Sequence, residues 1–333
     1  MLQEFQLRRP DDFHVHLRQD EDLPAFVRTT ARQFARCLVM PNLLPPVTTG
    51  EDVLRYRDQI RSAGTALEPL MAFKILGKHL PEDLPALKAA GAVAGKIYPE
   101  GVTTNAEDGV RELSELTPFL EAMQDMGIVL CLHGEKPGGF VLDREALFLD
   151  DLRWIASNFP RLRIVLEHVS TAAAVEAVRS LPANVGATIT LHHLEITLDD
   201  VVGGNLRPHL FCKPLAKRPE DRDALLAAAF SGDGKFFFGS DSAPHRKDRK
   251  ECAAGCAGVY TMPNATECLV TLFEKHGKLG RLEDFLATFG AEFYGLPQNQ
   301  GTAHFLREST RVPDLIDGAV PYRAGQMLPW RLA

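Results

Sequence analysis

Residues 128–168 read IVLCLHGEKPGGFVLDREALFLDDLRWIASNFPRLRIVLEH. A β-rich run (128–133) gives way to a helix-like stretch (146–159), which Ser157-Asn158-Phe159-Pro160 stops, and a second β-rich run (163–168) follows. Both runs end in histidine. Outward from this unit the same alternation spans most of the chain. Strands are expected at 13–17, 37–40, 68–73, 94–98, 128–133, 163–168, 185–190 and 235–239. Helical segments are expected at 21–34, 50–63, 85–90, 107–126, 146–159, 171–180 and 219–230, with Thr171 as an N-cap. Eight strands separated by helices predict an α/β fold of the (β/α)8 TIM-barrel type rather than a doubly wound open sheet. No G-x-G-x-x-G or P-loop follows any strand, so the nucleotide-binding forms of α/β lack their fingerprint.

The chain has 333 residues, 45% hydrophobic and 24% charged, which suits one barrel-sized globular domain. From about residue 252 a C-terminal helical extension is expected, with a helix at 282–293 closed by Tyr294-Gly295-Leu296-Pro297. No linker or repeat marks a second domain. A net charge of −7 without a basic block argues against nucleic acid as a partner. No segment approaches transmembrane length, and the first ten residues hold no apolar signal-type core, so no membrane partner is expected. The six cysteines are scattered rather than arranged as a disulfide framework, and the expected setting is cytoplasmic.

Ligand-type residues gather at the ends of the expected strands, where such barrels place their active sites. His14 and His16 lie two apart in Asp12-Phe13-His14-Val15-His16-Leu17-Arg18, so an extended backbone points both the same way. Lys96 sits on the fourth strand, His133 and His168 near the ends of the fifth and sixth, and Asp241 just after the eighth. Four histidines and an aspartate at one rim point to metal, and six residues in all suggest more than one ion. A lysine ammonium cannot bridge ions, because it has no acceptor.

The chain resembles class II dihydroorotase of the amidohydrolase superfamily nearly end to end. The run containing His14 and His16 carries the resemblance, with Met40-Pro41-Asn42, Lys96-Ile97-Tyr98-Pro99, Thr103-Thr104-Asn105, His133-Gly134-Glu135 and Glu167-His168. Arg207-Pro208-His209, Gly239-Ser240-Asp241-Ser242-Ala243-Pro244-His245 and Gly255-Cys256-Ala257-Gly258 complete it. The resemblance implies two Zn2+ per subunit, bridged by Lys96 as N6-carboxylysine, a carbamate formed with CO2. It assigns His14, His16 and Asp241 to one metal, and His133 and His168 to the other. It also implies a homodimer.

The implied reaction is the reversible closure of N-carbamoyl-L-aspartate to L-dihydroorotate and water, the third step of pyrimidine synthesis. In the hydrolytic direction a bridging hydroxide would attack the ring amide, with Asp241 as base and then acid. The resemblance gives the remaining substrate carboxylate to Arg18, Asn42 and His245, and further contacts to Ala257 and to a lid carrying Thr103 and Thr104. Lys213 is left without a side-chain role, because the family pattern can place an apolar residue there that acts through its backbone. His192, His193 and His209 are expected to be structural or solvent-facing. One rival is another cyclic-amide hydrolase, hydantoinase- or allantoinase-like. Such relatives usually carry a β-sandwich built partly from residues ahead of the first barrel strand, for which His14 comes too early. The other rival is a catalytically dead homologue kept as a binding partner, against which stands the full set of ligands.

Overall fold

The apolar run of each expected barrel strand is buried, as a parallel strand held between a packed interior and covering helices must be. The computed structural model describes residues 2–103 and 105–333. A short strand, β1 (Glu4–Arg8), precedes the barrel. The barrel strands are β2 (Asp11–Val15), β3 (Arg36–Val39), β4 (Glu68–Lys74), β5 (Ala92–Ile97), β6 (Val129–His133), β7 (Ile164–Glu167), β8 (Val185–Ile189) and β9 (Phe236–Phe238). They form one eight-stranded parallel sheet in chain order, the (β/α)8 architecture expected from the alternation. The seam between β2 and β9 is closed by loop residues: Asp241 N donates to His14 O at 2.9 Å, and His16 N to Ser242 O at 3.0 Å.

Period-two alternation sorts the strand side chains. Phe13, Ala94, Cys131, Val165 and Phe237 belong to an inner cluster. Two residues further on, toward the C-terminal mouth, Lys96, His133 and Glu167 follow the same face. Strand β2 departs from the rule. Its register against β3 shifts between Asp12 and Val15, and Val15 packs outward with the helix layer although Phe13 packs inward. That irregularity turns His14 and His16 toward the mouth, as a bulge beside an active site does.

The covering helices begin and end close to expectation. Thr171 caps Ala172–Ser180, its hydroxyl accepting from Ala174 N at 3.1 Å, and Pro219–Phe230 has the expected bounds. The segment expected as helix from 107 is different: a 3-10 turn covers Leu113–Leu116 and the α-helix is Thr117–Met126. Residues 105–110 fold back on β5 instead, with Val110 N bonded to Tyr98 O at 3.0 Å. A side chain at Gly109 would meet that carbonyl at 2.5 Å, so the absence of a Cβ permits the approach.

Beyond the barrel, the extension carries the helix Ala265–Lys275, then a π-helical turn Asp284–Thr288 running into Phe289–Tyr294. Tyr294 plugs the barrel, stacked on Phe13 at 4.8 Å, and Gly295 closes that helix in the left-handed conformation. The extension also holds strands β10 (Thr302–Leu306), β11 (Thr310–Arg311), β12 (Met327–Leu328) and β13 (Arg331–Leu332). Strand β10 pairs with β1 through Phe5 and Phe305, a sheet that no local pattern announces. Across the barrel floor Arg36 makes paired hydrogen bonds of 2.8 and 2.7 Å to Asp11, which also accepts from Asn299 at 2.7 Å.

Candidate metal centre and active site

His14 is seated by three neighbours. Its backbone N–H donates to Asp12 at 3.0 Å, and Ser240 donates to the same carboxylate from its N–H (2.8 Å) and hydroxyl (2.6 Å). Burial pushes the Asp12 carboxyl up to about 7. Gly239 makes room, since a Cβ there would lie 2.9 Å from the Cβ of His14. The ring Nδ1 of His14 is 2.8 Å from Glu167 Oε2, which also accepts from Thr188 at 2.6 Å. Glu167 lies below the usual carboxylate range: burial alone would raise it, but the His14 and Lys96 charges outweigh burial. An ionised carboxylate only accepts, so a proton is on Nδ1 and Nε2 is the nitrogen turned to the mouth.

Asp241 Oδ1 stands 3.4 Å from His14 Nε2 and 3.1 Å from His16 Nε2. The three ligand-type atoms lie within 4.8 Å of one another. Burial holds His16 down near 4, in the neutral form a metal ligand requires. Burial would raise Asp241, but hydrogen bonds from His14 and His16 bring it well below the carboxylate range.

The second pair repeats this logic. His133 Nε2 is 2.7 Å from Glu135, which places its other nitrogen, Nδ1, 3.2 Å from His168 Nε2. Burial lowers both rings, His168 strongly. Along β7 the alternation brings Glu167, not His168, to the inner face. His168 reaches the centre through a left-handed backbone (φ 43°), and Asp241 has the same φ, with Arg18 at 61°. Non-glycine residues occupy that region rarely, and such positions gather at functional sites. The His14 and His168 rings lie 5.0 Å apart, which joins the two groups.

Lys96 is fully buried, and its Nζ has no hydrogen-bond partner among the described residues. Burial lowers its pKa toward the neutral amine. His14 Nε2 and a carboxylate oxygen of Asp241 face each other across 3.4 Å, with a facing pair of imidazole nitrogens beside them. Two imidazoles and a carboxylate beside a second imidazole pair are a donor set that fits divalent metal. Glu167 and Glu135 hold the imidazoles in orientation, as carboxylates behind metal-bound histidines do.

The adjoining pocket is lined by His16, Arg18, Asn42, Thr103, Lys213, Asp241, Ala243, Ala257 and Gly258. Arg18 is fixed by Nε to Pro244 O at 2.8 Å, with Nη2 3.0 Å from His245 Nε2, which is itself 3.0 Å from Ala257 O. Burial, with Arg18 next to it, drops His245 to about 3 and keeps it neutral. The structure therefore brings Arg18, Asn42, Thr103, His245 and Ala257 to the cluster of candidate metal ligands. Thr104 lies outside the described residues. Sequence reasoning gave no role to Asp12, Glu135 or Glu167, and left Lys213 without a side-chain role. Acidic residues beside or two away from the histidines were the available signal for the first three. His193 is structural, bonded to Thr190 Oγ1 (2.9 Å) and Pro214 O (3.0 Å), and His209 pairs with Glu251 in a solvent-accessible position. A separate cavity of about 490 Å³ beside the C-terminal strands is lined by other residues, among them Arg28, Arg32 and Trp330.

No family model matches the chain. It is 46% identical to a dihydroorotase of Teredinibacter turnerae, over 100% of this chain and 99% of that one. Among solved structures, the Saccharomyces cerevisiae dihydroorotase in complex with 5-fluoroorotic acid is 34% identical with a TM-score of 0.94, covering 100% and 99% of the two chains. The Campylobacter jejuni dihydroorotase is 39% identical with a TM-score of 0.93, covering 99% and 97%.

Proposed function

Because the chain belongs to the dihydroorotase family, we propose that it closes N-carbamoyl-L-aspartate to L-dihydroorotate, reversibly and with the aid of metal. The observation that carries this reading is the junction of two sets of residues in one pocket. Arg18, backed by His245, stands beside Asp241 and the histidines. A guanidinium fork next to a metal-binding cluster suits a cyclic amide that also bears a carboxylate, which simple hydantoins lack.

His14, His16 and Asp241 would hold one zinc ion, and His133 and His168 the other. Lys96 would join the two as a carbamate, since its buried amine can take up CO2 and become an anion with two oxygens. When bound, the metals supply Lewis-acid polarisation of the amide carbonyl and a lowered pKa for the attacking water.

The side chains do the rest. Arg18, Asn42 and His245 clamp the carboxylate shared by ring and open forms, and the Thr103 segment covers the pocket. In the hydrolytic direction Asp241 takes the proton from water and passes it to the departing amide nitrogen. Its strong preference for the ionised form makes it a relay rather than a resting acid. The open substrate carries two carboxylates and the ring one, so closure consumes a proton and low pH favours the ring.

We further propose a single catalytic domain, with the barrel and its extension acting together, and a homodimer. No helix among the described residues is long and apolar enough to cross a membrane. The six free cysteines support a cytoplasmic setting. The test is to assay N-carbamoyl-L-aspartate closure and hydantoin hydrolysis on one sample, with metal analysis and sedimentation of the same protein. Turnover of hydantoins alone overturns the assignment.

A further inference from the structure

Lys213 lines the active-site pocket, half-buried, and its ammonium has no hydrogen bond or ion pair among the described residues. Neighbouring buried lysines are engaged. Lys250 donates to Phe211 O (3.1 Å) and Gly258 O (2.6 Å), and Lys217 to Ser170 Oγ (3.1 Å) and Leu215 O (2.9 Å). The backbone on either side of Lys213 is held by other groups. Gly258 N donates to Phe211 O at 2.8 Å, and His193 Nε2 and Cys212 Sγ converge on Pro214 O at 3.0 and 3.2 Å. The Lys213 side chain thus has no structural duty, yet it stands on a rigid wall of the substrate pocket.

Charge counting shows what it could do, given the reaction proposed above, on which this step rests. The carboxylate common to both substrates has Arg18, Asn42 and His245. Only the open form brings a second carboxylate, formed from the amide carbonyl on the metal side of the pocket, and among the described lining side chains Lys213 is the cation left without a hydrogen bond or ion pair. We infer that Lys213 is a specificity-determining residue, which favours the bound dianionic open substrate over the bound monoanionic ring. The overall equilibrium cannot change, so removing Lys213 must alter kcat/KM by the same factor in both directions. The selective effect therefore appears in the individual constants. KM for the open form rises relative to KM for the ring, and the ratio of the two kcat values rises to match.

The experiment measures both directions for the parent protein and for Lys213→Met, Lys213→Gln and Lys213→Arg, each checked for parental metal content and melting temperature. The expected result is an approximately tenfold rise in the KM ratio for Met and Gln, as for one partly solvated charge pair. Lys213→Arg is expected to keep the parental ratio. Equal rises in both KM values, or no change in either, overturn the inference while leaving the reaction intact. A parent protein that does not close N-carbamoyl-L-aspartate overturns the reaction, and the inference falls with it.

Discussion

Nδ1 of His14 and Oε2 of Glu167 are 2.8 Å apart, a contact between β2 and β7 wholly enclosed by the barrel. It determines which nitrogen of the first histidine is free to bind metal. Behind β6, Glu135 does the same for His133. The histidines were visible in the chain, but what orients them as candidate ligands is this pair of carboxylates.

Glu167→Ala should therefore weaken metal binding without removing any ligand. The expected loss is about 10- to 100-fold in zinc affinity, read by competition with a chelating indicator. Glu167→Gln, which keeps an acceptor for Nδ1–H, should lose less. Unchanged affinity in the alanine variant would show that His14 needs no orienting partner.

Lys96→Ala removes the group proposed to join the two metals. Metal content should fall below that of the parent, turnover should collapse, and short carboxylic acids should restore part of it by standing in for the carbamate. Full activity in the untreated variant removes Lys96 from the site.

Arg18→Met leaves every metal-ligand candidate in place and deletes the proposed carboxylate clamp. Truncating one partner of a buried, charge-assisted contact commonly loses about 2–5 kcal/mol. KM should rise by roughly 30-fold or more, since each 1.4 kcal/mol is a factor of ten, with metal content at the parental level. Loss of metal with unchanged substrate affinity would reverse the assignment.

Asp11→Ala tests the barrel floor rather than its mouth. It leaves Arg36, 4% exposed, without its carboxylate and takes an acceptor from Asn299. Breaking such a buried pair destabilises by about 3–5 kcal/mol, measurable in urea unfolding. Replacing both partners, as in Asp11→Leu with Arg36→Met, should recover much of the loss. If the double variant is as unstable as the single one, the unpaired charge is not the cause.

The parts of the fold that follow a local period could be read along the chain. Buried strands such as β6 and β7 are continuous apolar runs, and the helix Pro219–Phe230 has its limits written in proline and composition. Features that depend on distant partners could not. Phe5 finds Phe305 only in three dimensions, and residues 105–110 leave the helical pattern because Val110 bonds to Tyr98. The candidate metal ligands were legible as residue types at strand ends, although His168 gets there by a backbone turn that strand periodicity does not foresee. Lys213 shows the opposite limit. It was set aside in the sequence because the family pattern can place an apolar residue there, and only the assembled pocket puts it among the lining residues.

The seam between β2 and β9 has a consequence for how the molecule matures. The hydrogen bonds that close the cylinder there belong to His14, His16, Asp241 and Ser242, three of them metal-ligand candidates. A chain paired one residue out of step at this junction would turn its side chains to the opposite face. It would be both an open barrel and an empty cage. Correct closure of the barrel at this seam is thus also what brings these candidate ligands together.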